Sequence, residues 1–178
     1  MKKALFLDRD GIINVDFGYV HKISDFEFVE GIMDLCRYAS DMGYEIYVIT
    51  NQAGIARGYY SIDDFNVLTD WMIKVFKKED IAIKGVYFCP HHPEKGTNDF
   101  VVSCKCRKPE PGMILQAVKE HELDVNKSVF IGDKLSDMHA AEAAGIHNRV
   151  LVASQYHDNS TAHVHRVNNI KEAIAFLS

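Results

Sequence analysis

The sequence repeats one unit: a short apolar run that stops abruptly at polar residues, then a segment with helical spacing. Residues 4–7 are apolar and stop at Asp8, and residues 44–49 are aromatic and β-branched and stop at Thr50-Asn51. Runs at 85–88 and 128–131 follow the same pattern, the second ending in Gly132-Asp133, and 149–152 forms a fifth. Uninterrupted apolar runs of this length suit strands buried on both faces.

Between them, Ile32, Leu35, Cys36 and Ala39 fall at helical intervals, with Gly43 as the expected stop. Ser61-Ile-Asp-Asp64 resembles a capping box with Asp in place of Glu, ahead of an apolar face at Phe65, Leu68, Met72, Val75 and Phe76. Further helices are expected over 113–121, 135–144 and 170–177, with Gly145 as a C-cap. Alternating strand and helix predicts an α/β fold: a doubly wound, mostly parallel, Rossmann-like sheet with helices on both faces. The long irregular stretches are 12–30, 89–111 and 154–169.

A length of 178 residues suits one domain, 1–178, with a loop insertion at about 89–111. Apolar runs are all too short for a membrane span, and acid follows the N-terminal Met-Lys-Lys too early for a signal peptide. A cytoplasmic chain without membrane contact is therefore expected. A net charge of −5 argues against nucleic acid as a partner, which calls for a basic face. Any anionic ligand must be met by a few local cations.

In an open α/β sheet, ligands bind beyond the carboxyl ends of the strands, where strand order reverses. The residues placed there are Asp8, Asp10, Thr50, Asn51 and Asp133. If the backbone stays extended past Leu7, Asp8 and Asp10 share one side and Arg9 points away. Two carboxylates in one small space are relieved by a bound cation or a retained proton, and their oxygens suit Mg²⁺.

Three of the four cysteines fall in the second irregular stretch, as Cys89-Pro-His91-His92 and Cys104-Lys-Cys106. Disulfides are not expected in a cytoplasmic chain, whereas one imidazole and three thiolates form a common closed zinc set. Either His91 or His92 can supply the imidazole. Four protein ligands leave no open position, so this metal would be structural. Cys36, at helical spacing among apolar residues, reads as a core cysteine.

Asp8-Arg-Asp-Gly-Ile-Ile-Asn14, Thr50-Asn-Gln52, Lys108 before a helix, and Gly132-Asp-Lys-Leu-Ser-Asp137 resemble, in order and strand context, the four motifs of haloacid dehalogenase-like phosphatases. The resemblance implies that Asp8 attacks phosphorus to form an aspartyl-phosphate, and that Asp10 protonates the leaving oxygen and then activates water. It also implies Mg²⁺ held by Asp8, Asp133 and the Asp10 carbonyl, and Thr50, Asn51 and Lys108 on the phosphoryl oxygens. Asp137 would assist from behind or serve as a helix N-terminal charge.

A narrower resemblance, to the heptose-bisphosphate phosphatases within that family, rests on Asp16-Phe-Gly-Tyr19, Thr50-Asn-Gln-Ala-Gly-Ile-Ala-Arg-Gly58, Cys89-Pro-His-His-Pro93 and Cys104-Lys-Cys-Arg-Lys-Pro109. Pro111-Gly-Met113 and Gly132-Asp-Lys134 extend it, and it weakens after about Ser154. It selects His91 as the zinc ligand beside Cys89, Cys104 and Cys106. It implies substrate contacts from Asp16, Phe17, Gly18 and Tyr19, from Asn51, Gln52 and Ala53, and from Arg107 and Lys134, with Arg107 reading the sugar or distal phosphate. Tyr19 and His21 could equally pack their loop over the core.

The reaction this resemblance implies is Mg²⁺-dependent removal of the 7-phosphate from D-glycero-D-manno-heptose 1,7-bisphosphate, a small-molecule substrate; a monomer is expected. The resemblance further implies that the 1-phosphate remains for nucleotide-heptose synthesis, which feeds lipopolysaccharide core or surface glycan. Histidinol-phosphate phosphatases share these patterns and are the nearest rival. A nucleic-acid 3′-phosphatase fits the acidic balance less well. A phosphoaspartate signalling module is the rival of another class, though there the acidic pair is usually adjacent. No large cap domain fits between Asp8 and Thr50, so an open site is expected, closed by the 12–30 and zinc loops.

Overall fold

A computed structural model describes residues 1–156 and 163–178. The five expected strands form as β1 (Ala4–Leu7), β2 (Glu45–Asn51), β3 (Ile83–Cys89), β4 (Val129–Gly132) and β5 (Asn148–Val152). A sixth, β6 (His165–Val167), lies inside the stretch expected to be irregular. The sheet order is β3-β2-β1-β4-β5-β6, and every neighbouring pair is parallel. β2 runs past its apolar run because Thr50 and Asn51 continue the ladder opposite Phe88 and Cys89.

The helices are α1 (Ile32–Asp41), α2 (Ile62–Lys78), α3 (Gly112–His121), α4 (Leu135–Ala143) and α5 (Ile170–Ala173), the last continued by a 3₁₀ turn over Ile174–Phe176. At the start of α2 the Asp64 amide donates to Ser61 Oγ and the Ser61 amide donates to Asp64 Oδ2, so the shorter acid completes the capping box. Gly145 follows α4 with φ of 89°, a backbone that L side chains rarely adopt.

Alternation along β1 splits the core into two layers. Leu5 and Leu7 face a cluster with Leu35 of α1 and Met72 and Phe76 of α2, whereas Ala4 and Phe6 face Ile114 of α3 and Met138 of α4. Every residue of β1 has 0% exposure. Each large side chain buried in this way contributes about 1.5–3 kcal/mol, so β1 is held firmly on both faces and gives Asp8 a rigid base. No helix among the described residues is long and apolar enough to cross a membrane.

The loop from β3 to α3 is fastened to its surroundings rather than hanging free. A Cβ on Gly96 would sit 2.1 Å from the Ala56 carbonyl, and one on Gly112 would sit 2.2 Å from the Lys105 carbonyl. Glycine at both places lets backbone meet backbone.

Candidate active site

β1 lies between β2 and β4, so strand order reverses there and the carboxyl ends of these three strands open onto one crevice. Extension stops at Asp8. The Arg9 carbonyl accepts hydrogen bonds from the amides of Ile12, Ile13 and Asn14, which turns the chain back on itself. Arg9 therefore does not point away, as an extended chain would have it. It is buried, and its Nη2 donates to Asp10 Oδ1 at 2.9 Å and to the Val20 carbonyl at 2.7 Å.

Asp8 Oδ1 accepts from the Arg9 amide and from Lys108 Nζ, each at 2.9 Å. The same ammonium donates to the Ile49 carbonyl at 2.8 Å and pairs with Asp137 Oδ1 at 2.6 Å. Burial alone would lower the Lys108 pKa, but the charges of Asp137 and Asp8 outweigh it and the ammonium is held above its usual range. Burial, then repulsion from Asp137, pushes Asp8 up to about 6 even with Lys108 beside it.

Asp133 follows β4, and neither of its buried carboxylate oxygens has a hydrogen-bond partner. Burial and the nearby charge of Asp8 push it up to about 9. One ligand atom from each of Asp8, Asp133 and Asp137 falls within 4.8 Å of the others. Three buried carboxylates, of which only Asp8 and Asp137 pair with the Lys108 ammonium, leave the cluster short of positive charge, and the orphaned oxygens of Asp133 are hard ligands of the kind Mg²⁺ takes. The donors thus fit the cation.

Backbone shape admits this crowding. Gly11 has φ of +91°, and a Cβ there would lie 2.1 Å from Asp133 Oδ2. A Cβ on Gly132 would lie 2.5 Å from the Asp137 side chain, whose Oδ2 accepts from the amides of Asp133 and Lys134 at 3.1 Å each.

Asp10 sits in a separate network. Its Oδ1 accepts from Arg9 and from Asn14 Nδ2, and its Oδ2 accepts from Gln52 Nε2 at 3.2 Å. Gln52 Nε2 also donates to Thr50 Oγ1 at 2.8 Å, which ties the ends of β1 and β2 together. The Asn51 side chain is engaged elsewhere: Nδ2 donates to the Lys108 carbonyl at 3.2 Å and Oδ1 accepts the Lys108 amide at 3.0 Å. It anchors the lysine's backbone rather than presenting its amide to the crevice.

Asp10, Gln52 and Lys108 open onto a cavity of about 510 Å³, whereas Asp8, Thr50, Asp133 and Asp137 are buried and do not line it. Its walls include Asp10, Asp16, Gly18, Tyr19 and Lys134, together with Asn51, Gln52, Ala53, Arg107 and Lys108. Phe17 does not join them; it is 63% exposed and lines a different hollow on the outside of the 12–30 loop. The motif suggests a continuous contact, but Gly18 and Tyr19 line both hollows whereas Phe17 lines only the other one. Tyr60, Ser136 and Tyr156 also line the cavity, and sequence reading missed all three.

Tyr156 closes a side expected to be open. Its hydroxyl donates to Asp16 Oδ2 at 2.7 Å, and Lys134 Nζ lies 4.3 Å from its ring centroid. A single tyrosine in a polar stretch carries no signal in sequence. Residues 157–162 of that stretch lie outside the described residues.

In the cysteine loop, donor atoms of Cys89, His91, Cys104 and Cys106 all fall within 4.8 Å of one another. Sγ of Cys106 is 2.9 Å from that of Cys89 and 3.3 Å from that of Cys104, and His91 Nδ1 is 3.3 Å from Cys106 Sγ. His92 is turned away and accepts the amides of Glu94 and Lys95. Three sulfurs and one imidazole nitrogen around a common centre fit a closed zinc site. The Arg107 amide donates to Cys104 Sγ at 3.3 Å, so the cluster passes directly into the arm that carries Arg107 and Lys108.

The family model for HAD-hydrolase-like proteins matches residues 105–173. A D-glycero-alpha-D-manno-heptose-1,7-bisphosphate 7-phosphatase of Campylobacter jejuni is 47% identical over 98% of this chain and 95% of its own. A D-glycero-beta-D-manno-heptose-1,7-bisphosphate 7-phosphatase of Haemophilus influenzae is 47% identical over 85% of this chain and 82% of its own. Among solved structures, a HAD-like phosphatase of Mesorhizobium loti superposes with a TM-score of 0.88 at 31% identity, covering 99% of this chain and 84% of its own. The D,D-heptose 1,7-bisphosphate phosphatase of B. bronchiseptica, complexed with magnesium and phosphate, shares the fold with a TM-score of 0.83 at 24% identity, covering 97% and 96%. With its strand-end carboxylates and its cysteine loop in place, the chain belongs to the heptose-1,7-bisphosphate 7-phosphatase family of haloacid dehalogenase-like hydrolases.

Proposed function

We propose that the whole chain, 1–178, acts as one monomeric cytoplasmic unit that removes the 7-phosphate of D-glycero-D-manno-heptose 1,7-bisphosphate and leaves the 1-phosphate. The placement of Asp8 supports this most: a carboxylate on a rigid strand end at the reversal of strand order, held by a buried lysine beside an under-neutralised acidic cluster. The substrate is that of the relatives named above, which match nearly the full chain.

In this reading Asp8 attacks phosphorus, the bond from phosphorus to the sugar oxygen breaks, and water then displaces Asp8 from the aspartyl-phosphate to release inorganic phosphate. Lys108, fixed by Asp137 and the Ile49 carbonyl, meets the transferring oxygens with positive charge. Asp10 gives its proton to the leaving sugar oxygen and later takes one from water, with Arg9, Asn14 and Gln52 holding its carboxyl group. Asp8, Asp133 and the Asp10 carbonyl would hold Mg²⁺, which would supply charge screening between the carboxylate and the phosphate dianion. Arg107, Lys134 and Tyr19 line the part of the cavity that takes the sugar and distal phosphate. The four-residue cluster would hold a structural zinc that shapes the arm and takes no part in the reaction.

Relatives named for the α and the β anomer are both 47% identical to the chain, so both anomers belong in the assay. Phosphate release with Mg²⁺ should be far faster from one or both heptose bisphosphates than from histidinol phosphate. A clear preference for histidinol phosphate would sink the heptose assignment. A single stoichiometric phosphorylation without turnover would instead mark a signalling module.

A further inference from the structure

Tyr60 stands just beyond the Thr50–Gly58 motif and has no part in the chemistry assigned above. It is buried, with 6% exposure, and its hydroxyl makes a short hydrogen bond to Gln52 Oε1. Its ring stacks on His21, with centroids 4.8 Å apart and planes within 9°.

The bond to Oε1 has a geometric consequence. A primary amide carries an acceptor at one end and donors at the other, and a phenol has a single proton to give. With Oε1 accepting from Tyr60, Nε2 faces Asp10 Oδ2 at 3.2 Å and Thr50 Oγ1 at 2.8 Å, so the phenol and the carboxylate together favour this orientation. The reversed amide would set its carbonyl oxygen against the Asp10 carboxylate. Burial, reinforced by the charge of Asp10 and only partly offset by Arg9, keeps the phenol well above its ordinary pKa, so it remains a donor.

Space for this contact has been cleared. A Cβ on Gly54 would lie 2.2 Å from Tyr60 Cε1, although the backbone of Gly54 is not in the left-handed region. Glycine is required there for room and not for conformation.

From the buried hydroxyl, the ring stack and the cleared approach, we infer that Tyr60 is a positioning residue for phosphoryl transfer. It fixes the orientation of Gln52, and through it the Asp10 carboxyl and the Thr50 hydroxyl. This rests on the phosphatase reading but not on the identity of the sugar.

The test uses the Mg²⁺- and zinc-loaded enzyme with p-nitrophenyl phosphate and with heptose bisphosphate. Tyr60→Phe keeps the ring and deletes the hydroxyl. It should lower kcat about tenfold for both substrates, with KM changed no more than about twofold. Gln52→Ala should cost about the same, and adding it to Tyr60→Phe should cost at most about a further twofold, because both remove one device. Gly54→Ala keeps the hydroxyl but displaces the ring, and should reproduce the loss. Should Tyr60→Phe fail to fold, judged by its melting transition, the Gly54→Ala and Gln52→Ala pair carries the same test.

A kcat within about twofold of the parent in the folded Tyr60→Phe or Gly54→Ala protein, a change confined to KM, or fully multiplicative losses in the double variant would each overturn the inference. Hydrolysis of p-nitrophenyl phosphate without hydrolysis of heptose bisphosphate would remove the sugar assignment and leave the Tyr60 result readable.

Discussion

At the scale of single residues, the crevice is built from groups held in place by neighbours that do no chemistry. Asp8→Asn should abolish turnover, and Asp10→Asn should stall it, with kcat down by about a thousandfold or more in steady-state phosphate release. Lys108→Met strips the ammonium from its buried pairs with Asp8 and Asp137, and should destabilise the chain by about 3–5 kcal/mol in denaturant titration. Gly11→Ala would drive a methyl group into the Asp133 carboxylate from a strained backbone. Its Mg²⁺ concentration for half-maximal activity should rise about tenfold or more. The residues at strand ends could be read from sequence because a buried apolar run that stops at Asp puts a carboxylate at the sheet's carboxyl edge, where ligands bind. Tyr60, Tyr156 and the inward turn of Arg9 could not, since each depends on a partner brought near only by the fold.

At the scale of elements, β1 and the cysteine loop perform different tasks. β1 sets Asp8 by burial on two faces. The loop carries two cations, which are anchored differently. Arg107 depends on the loop, through its amide to Cys104 Sγ and its guanidinium to the His91 carbonyl at 3.5 Å. Lys108 has a second anchor in the paired hydrogen bonds of Asn51. Cys104→Ser should therefore empty the site of zinc, seen by elemental analysis, and raise KM for the bisphosphate more than it lowers kcat. Asn51→Ala should do the reverse. An active, stable, metal-free Cys104→Ser protein with unchanged KM would show that the loop needs no zinc. Strand and helix order was legible as far as β5 because buried parallel strands leave continuous apolar runs. β6 escaped because His165-Arg-Val167 is a short edge strand with two exposed residues and no such run.

At the scale of the whole molecule, a net charge of −5 surrounds a site that must receive an anion. The solution is local: Lys108, Arg107 and Lys134 converge on one cavity while the acidic cluster lies beneath it. That cluster couples metal to stability. Asp8 and Asp133 have folded-state pKa values raised to about 6 and about 9, so each favours the folded state fully below its unfolded value, and that contribution is lost as pH rises through the folded value. Metal-free protein should melt at progressively lower temperature from about pH 4 to pH 9 as far as these two groups govern it. Added Mg²⁺ should raise the melting temperature more at pH 8 than at pH 5. Equal shifts at both would contradict cation binding at these carboxylates.

The central claim, that this crevice takes the phosphate from one end of a sugar bisphosphate and spares the other, is most directly tested by ³¹P NMR of heptose 1,7-bisphosphate during turnover with Mg²⁺. The C7 phosphomonoester resonance should disappear as inorganic phosphate appears in equal amount, with the anomeric phosphate intact, and the Asp8→Asn protein should leave both resonances unchanged. Loss of the anomeric phosphate first, or release that survives Asp8→Asn, would contradict it.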